Sequence, residues 1–145
     1  MKPFQLDTIL NYRKRLEDIA KNRLVDTKRQ QQSVRQKLDK SNNNLAALIG
    51  KKERLQEDTI SISDLIDYEN RILYCKKSIE GIEKKLAEID KTTQKQQLDL
   101  IEKSRNRQIM EKLKDQQDTK WLHYLDKKET RQLDEIATIR HNRRS

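Results

Sequence analysis

The stretch LIDYENRILYCKKSIEGIEKKLAEI, residues 65–89, decides the fold. Its apolar side chains recur at alternating spacings of three and four: Leu65, Tyr68, Ile72, Cys75, Ile79, Ile82, Leu86 and Ile89. A 3.5-residue period wraps one helix around another rather than covering a globule. Between these positions lie mostly Lys, Glu, Asp and Asn, the solvated face of such a helix.

Upstream, a second stripe runs through Leu6, Ile9, Leu16, Ala20, Val34, Leu38, Leu45, Leu48 and Leu55, with polar Thr27 and Gln31 on it. The two stripes are separated by Glu57-Asp58-Thr59-Ile60-Ser61-Ile62-Ser63-Asp64. Hydroxyl residues among β-branched ones are poor helix interior and good N-caps. Ser61 followed by Asp64 resembles a capping box. The spacing predicts a turn near residues 58–62, helix 1 over about 4–57 and helix 2 over about 63–140. A basic, frayed tail is expected at 141–145.

The expected fold is all-α: one domain, a long antiparallel two-helix coiled-coil hairpin with helix 2 longer than helix 1. At ~1.5 Å per residue, helix 1 would be roughly 80 Å long and helix 2 roughly 115 Å. Folding about residue 60 pairs positions whose numbers sum to about 120. Thr27 then faces Thr93, and residues beyond about 116 overhang. Downstream of Thr93 and Gln96 the stripe is read as returning out of strict register through Leu100, Ile101, Ile109, Met110, Leu113, Trp121 and Leu125, ending near Leu133, Ile136 and Ile139.

Composition agrees with a thin rod. Of 145 residues, 32% are hydrophobic and 39% charged, too few apolar side chains for a layered core. The longest apolar run, Leu45–Ile49, is far short of the roughly 20 residues a membrane span needs. No leader pattern opens the chain, so an intracellular protein is expected. The net charge is +9. Residues 1–40 hold 11 Lys/Arg against 5 Asp/Glu, residues 41–100 hold 10 against 11, and residues 101–145 hold 12 against 8. The excess of positive charge is therefore expected at the end of the hairpin where the chain termini meet.

No catalytic constellation is present. Gly50 and Gly81 are isolated, His123 and His141 lack partners at ligand spacing, and two helices enclose no cleft. No enzyme activity, cofactor or metal is expected. Cys75 occupies a stripe position and reads as a small buried hydrophobe. Trp121, beside Tyr124 and Leu125, stands where the partner helix has run out, and so reads as an exposed anchor for another protein. The basic residues are interspersed with acids and lack alternating aromatics, which argues against nucleic acid.

Three segments, in order and spacing, make the chain resemble the flagellar export protein FliJ family. They are Phe4-Gln5-Leu6-Asp7-Thr8-Ile9-Leu10-Asn11-Tyr12-Arg13-Lys14-Arg15-Leu16-Glu17, then Asp67-Tyr68-Glu69-Asn70-Arg71-Ile72-Leu73, then Gln132-Leu133-Asp134-Glu135-Ile136-Ala137. The resemblance implies a soluble, non-enzymatic stalk of the flagellar type III export apparatus. Its implied partners are a hexameric export ATPase, the cytoplasmic domain of the membrane export gate, and export chaperones. It implies a cytoplasmic protein, peripheral at the inner membrane at the flagellar base. On this resemblance and the charge distribution, Arg13, Lys14, Arg15, Trp121, Arg140, Arg143 and Arg144 are expected to meet the ATPase. Tyr68, Arg71, Cys75, Ser78 and Ile82 are expected to meet the gate; the family pattern has an aromatic where Arg71 stands. Injectisome stalk proteins share this architecture, and a plain coiled-coil spacer is the competing class.

Overall fold

The computed structural model describes residues 5–57 and 61–144. It consists of two helices, α1 (Gln5–Glu57) and the longer α2 (Ile62–Arg144), in a helical hairpin. Most of the expected turn, along with Pro3, Phe4 and Ser145, lies outside the described residues. α2 continues through His141 to Arg144, where a frayed tail was expected.

The start of α2 is set by Ser61. Its hydroxyl accepts a hydrogen bond from the Asp64 backbone N–H at 3.2 Å, and its carbonyl accepts from the Leu65 N–H at 3.1 Å. This satisfies an amide that a helix N-terminus otherwise leaves unpaired.

The chain divides into two compact units, Ala20–Asp99 and Met1–Ile19 with Leu100–Ser145. We call them the loop unit and the terminal unit. In the loop unit, Ala20, Leu24, Val34 and Ile79 are buried, along with the polar Thr27 and Thr93. The Thr93 hydroxyl donates to the Ile89 carbonyl at 2.9 Å, so its burial leaves no unpaired donor. Cross-helix pairs fix the register: Gln31 donates to Asp90, Lys52 meets Glu69 at 3.3 Å, and Arg35 reaches Asp90 at 3.8 Å. The first two sum to 121, within one residue of the expected value.

In the terminal unit, Leu10 is buried at 4% exposure while Ile9 is 41% exposed, so the stripe passes through Leu10 and not Ile9. The inner positions of α1 are Leu6, Leu10, Arg13 and Glu17. Those of α2 are Leu100, Lys103, Arg107, Met110, Lys114, Gln117 and Trp121. These continue the alternating three–four spacing of residues 65–96 without a break. Ile101, Ile109, Leu113 and Leu125, expected on the inner stripe, are at least 40% exposed. Charged side chains hold the inner positions because opposite charges meet there. Arg107 donates to Glu17 at 2.6 Å and to Glu111 at 2.8 Å, and Lys114 meets Asp7 at 2.8 Å. From Leu122 to Arg143 every residue is exposed. This is the expected overhang, since α1 offers nothing to pair with it.

Candidate interaction surfaces

The terminal unit carries the first group of expected binding residues, and the structure separates them into two clusters. Lys14 and Arg15 are exposed, whereas Arg13 is a half-buried inner residue and not an outward cation. With a register sum near 121, Arg13 lies opposite residue 108. Arg140 follows 32 residues later, roughly 48 Å along α2 at ~1.5 Å per residue. Arg140 and Arg143 are exposed, and the side chain of Arg144 lies outside the described residues. One cluster therefore flanks the paired helices, and the other tips a lone helix.

Trp121 is half-buried at the last inner position of α2, and its ring stacks on Tyr124 with centroids 5.6 Å apart. Beyond it the lone helix exposes Leu122, Leu125, Leu133, Ile136 and Ile139. The Trp stands where the inner positions end and the exposed apolar run begins.

The electrostatics of the terminal unit are set by inner ion pairs. The Arg107 guanidinium is held above its ordinary range, first by its hydrogen bond to Glu17 and then by Glu111. Lys114 is raised above 10.5, chiefly by its hydrogen bond to Asp7. Both cations thus gain from the fold in their charged form.

Net charge divides almost evenly. The terminal unit holds 16 Lys/Arg against 11 Asp/Glu, and the loop unit 17 against 13. Residues 20–40, with 7 Lys/Arg against 2 Asp/Glu, carry most of the positive charge of the first 40 residues, and they belong to the loop unit. The positive charge is therefore not confined to the terminal unit.

In the loop unit the second group of expected residues falls into two kinds. Tyr68, Cys75 and Ile82 are half-buried inner residues, while Arg71 and Ser78 are exposed on one edge of α2. The Arg71 guanidinium lies 5.8 Å from the centroid of the Tyr68 ring, within reach of a cation–π contact. Cys75 and Ser78 line a groove of about 180 Å³ with Ser41, Asn44 and Tyr74. Tyr74 is 75% exposed and was missed by sequence reasoning, which followed the inner stripe. An aromatic one position before a stripe residue, beside an exposed basic edge, was the available signal.

Among the described residues no cluster of His, Cys, Asp and Glu is placed to hold a metal ion. No described helix is long and apolar enough to cross a membrane. No curated protein and no solved structure matches the chain. The family model described as the flagellar FliJ protein matches residues 1–145. Matched over its whole length, with the two-helix hairpin its stripes require, the chain belongs to the flagellar FliJ protein family, with a role in flagellar export.

Proposed function

We propose that the protein is a non-enzymatic stalk that engages and stimulates a hexameric export ATPase and links it to the export gate and to export chaperones. It would act in the cytoplasm, peripheral to the inner membrane at the flagellar base. One observation carries this reading: the lone helix of residues 122–143, exposed on every face, with Leu133, Ile136 and Ile139 alongside Arg140 and Arg143. A helix exposed along its length, apolar and basic at its tip, is suited to enter a surrounding ring by many weak contacts and electrostatic attraction. Two paired helices can transmit position along a stalk without an enclosed reaction site. The exposed edge of Arg71, Tyr74 and Ser78 is the gate contact in this reading. Tyr68, Cys75 and Ile82 support that edge from the inner positions.

The test is ATP turnover by the cognate ATPase, titrated with three forms of the chain: wild type, Arg140→Ser with Arg143→Ser, and a chain ending at Lys120. Wild type should stimulate turnover, the double variant less, and the shortened chain not at all. Equal stimulation by all three would refute the assignment of the lone helix. No stimulation by any of them would favour a spacer.

A further inference from the structure

The two edges that flank the inner stripe of the terminal unit differ in chemistry. In an antiparallel pair, the same edge of each helix lies side by side. One edge is charged: Asp7, Lys14 and Asp18 on α1, with Glu111, Asp115 and Asp118 on α2. The other is apolar. Ile9, Tyr12 and Leu16 on α1 fall there, with Ile109 and Leu113 on α2. A register sum near 121 sets Ile9 beside Leu113, with Tyr12 and Ile109 at one level on the outer shoulders of the two helices. These are not covered side chains: Ile9 is 41%, Tyr12 54%, Ile109 56% and Leu113 43% exposed. Ile19, 42% exposed, extends the strip by one turn.

Single exposed apolar residues are ordinary, but a contiguous strip along the valley between two helices marks an interaction surface. We infer that this flank of the terminal unit docks an acidic amphipathic helix of another protein. The spacing suits a helix laid into a groove, since residues 9–19 offer apolar contacts over roughly 15 Å, about three helical turns. The rim sets the sign of the partner. Arg15 borders the strip on α1 and Arg105 and Lys112 border it on α2, with Glu102, level with Ile19, as the acid among them. None of the three is in an ion pair among the described residues, whereas the inner cations Arg107 and Lys114 are. A second copy of this chain carries the same positive rim and a net charge of +9, so it would be repelled. An acidic helix supplies the missing charges and covers the strip. Tyr12 suits the centre of such a site, with an apolar ring to bury and a hydroxyl free to hydrogen-bond.

The experiment uses the full chain and an 18-residue peptide of Leu and Glu, with Leu at helical i, i+3, i+4 and i+7 spacing. Its controls are the same peptide with Lys for Glu, and a scrambled acidic peptide. Binding is followed by fluorescence anisotropy and by amide chemical shifts of the protein. The acidic helix should bind and move the amides of Ile9, Tyr12, Leu16, Ile109 and Leu113, while neither control does. Tyr12→Ala combined with Leu113→Ala should weaken binding about tenfold or more with helicity unchanged, as for central interface residues. Asn11→Ala with Gln108→Ala, on the other edge, should not weaken it. Arg105→Glu with Lys112→Glu should reverse the preference toward the Lys peptide. Equal binding of both peptides, shifts spread over the charged edge, or no binding would overturn the inference. So would concentration-dependent shifts of the same amides without peptide, which would indicate a second copy. The probe contains no ATPase, so this result and the turnover titration fail separately.

Discussion

Gln96 buries its amide oxygen at an inner position of the loop unit with no hydrogen-bond partner among the described residues. A buried unpaired acceptor costs on the order of 1–3 kcal/mol. Gln96→Leu should therefore raise the denaturant midpoint, corresponding to about 1 kcal/mol or more, and an unchanged midpoint would show that the oxygen is satisfied. Ile79 is the contrasting case, a buried apolar residue in the unbroken part of the stripe. Ile79→Ala should cost about 2–5 kcal/mol by loss of burial and the cavity left behind. Ile82→Ala, at a half-buried position, should cost less in the same melts. Gly81 is a third kind of residue. It sits inside α2 without a positive φ, and a Cβ there would meet nothing within 4 Å. Gly81→Ala should stabilise the chain by roughly 0.5–1 kcal/mol through backbone entropy and helix propensity.

At the scale of elements, the register can be tested by crosslinking. In a chain with Cys75→Ala, Leu38→Cys with Ile82→Cys should form a disulfide within one chain; disulfides only between chains would mean a parallel dimer. The ion pairs of the terminal unit respond to pH. Lys114 is raised above its ordinary 10.5 by Asp7, so its contribution is complete below that value and is lost as pH climbs through the raised value. The stability difference between wild type and Lys114→Met should be present at pH 7 and shrink toward zero at strongly alkaline pH, read from urea midpoints. A constant difference would assign the loss to packing of the Lys stem instead. Much of this was legible in the sequence. The residues 65–89 stripe, the Ser61 cap, the register and the overhang all follow from spacing and residue type. The inner stripe after Gln96 is not legible from hydrophobicity, which leads to the exposed Ile101, Ile109 and Leu113. Spacing alone, carried on from Thr93 and Gln96 to Leu100, leads to Lys103, Arg107 and Lys114. The half-burial of Arg107 and Lys114 is tolerable because Glu17 and Asp7 stand opposite, a match between residues about 90 and 107 positions apart in the chain. The candidate surfaces were less legible still. Tyr74 and the Ile9–Leu113 flank belong to helix edges, which an inner-stripe search passes over.

For the molecule as a whole, an unbroken three–four frame in α2 whose last inner position is Trp121 divides the chain by what length it can tolerate. Within the paired stretch, removing one residue turns everything beyond it by about 100° around the helix axis and puts the wrong side chains inward. Such a chain can grow or shrink there only by sevens, and only if both helices change together. Past Trp121 no such accounting applies, because Leu122 to Arg143 are all exposed. A seven-residue deletion beginning at Asp126 should leave the urea midpoint of the hairpin nearly unchanged, whereas deleting Asn106 alone should lower it by several kcal/mol. Folding stability therefore fixes the length of the paired stretch and leaves the length of the helix past Trp121 to whatever that helix binds.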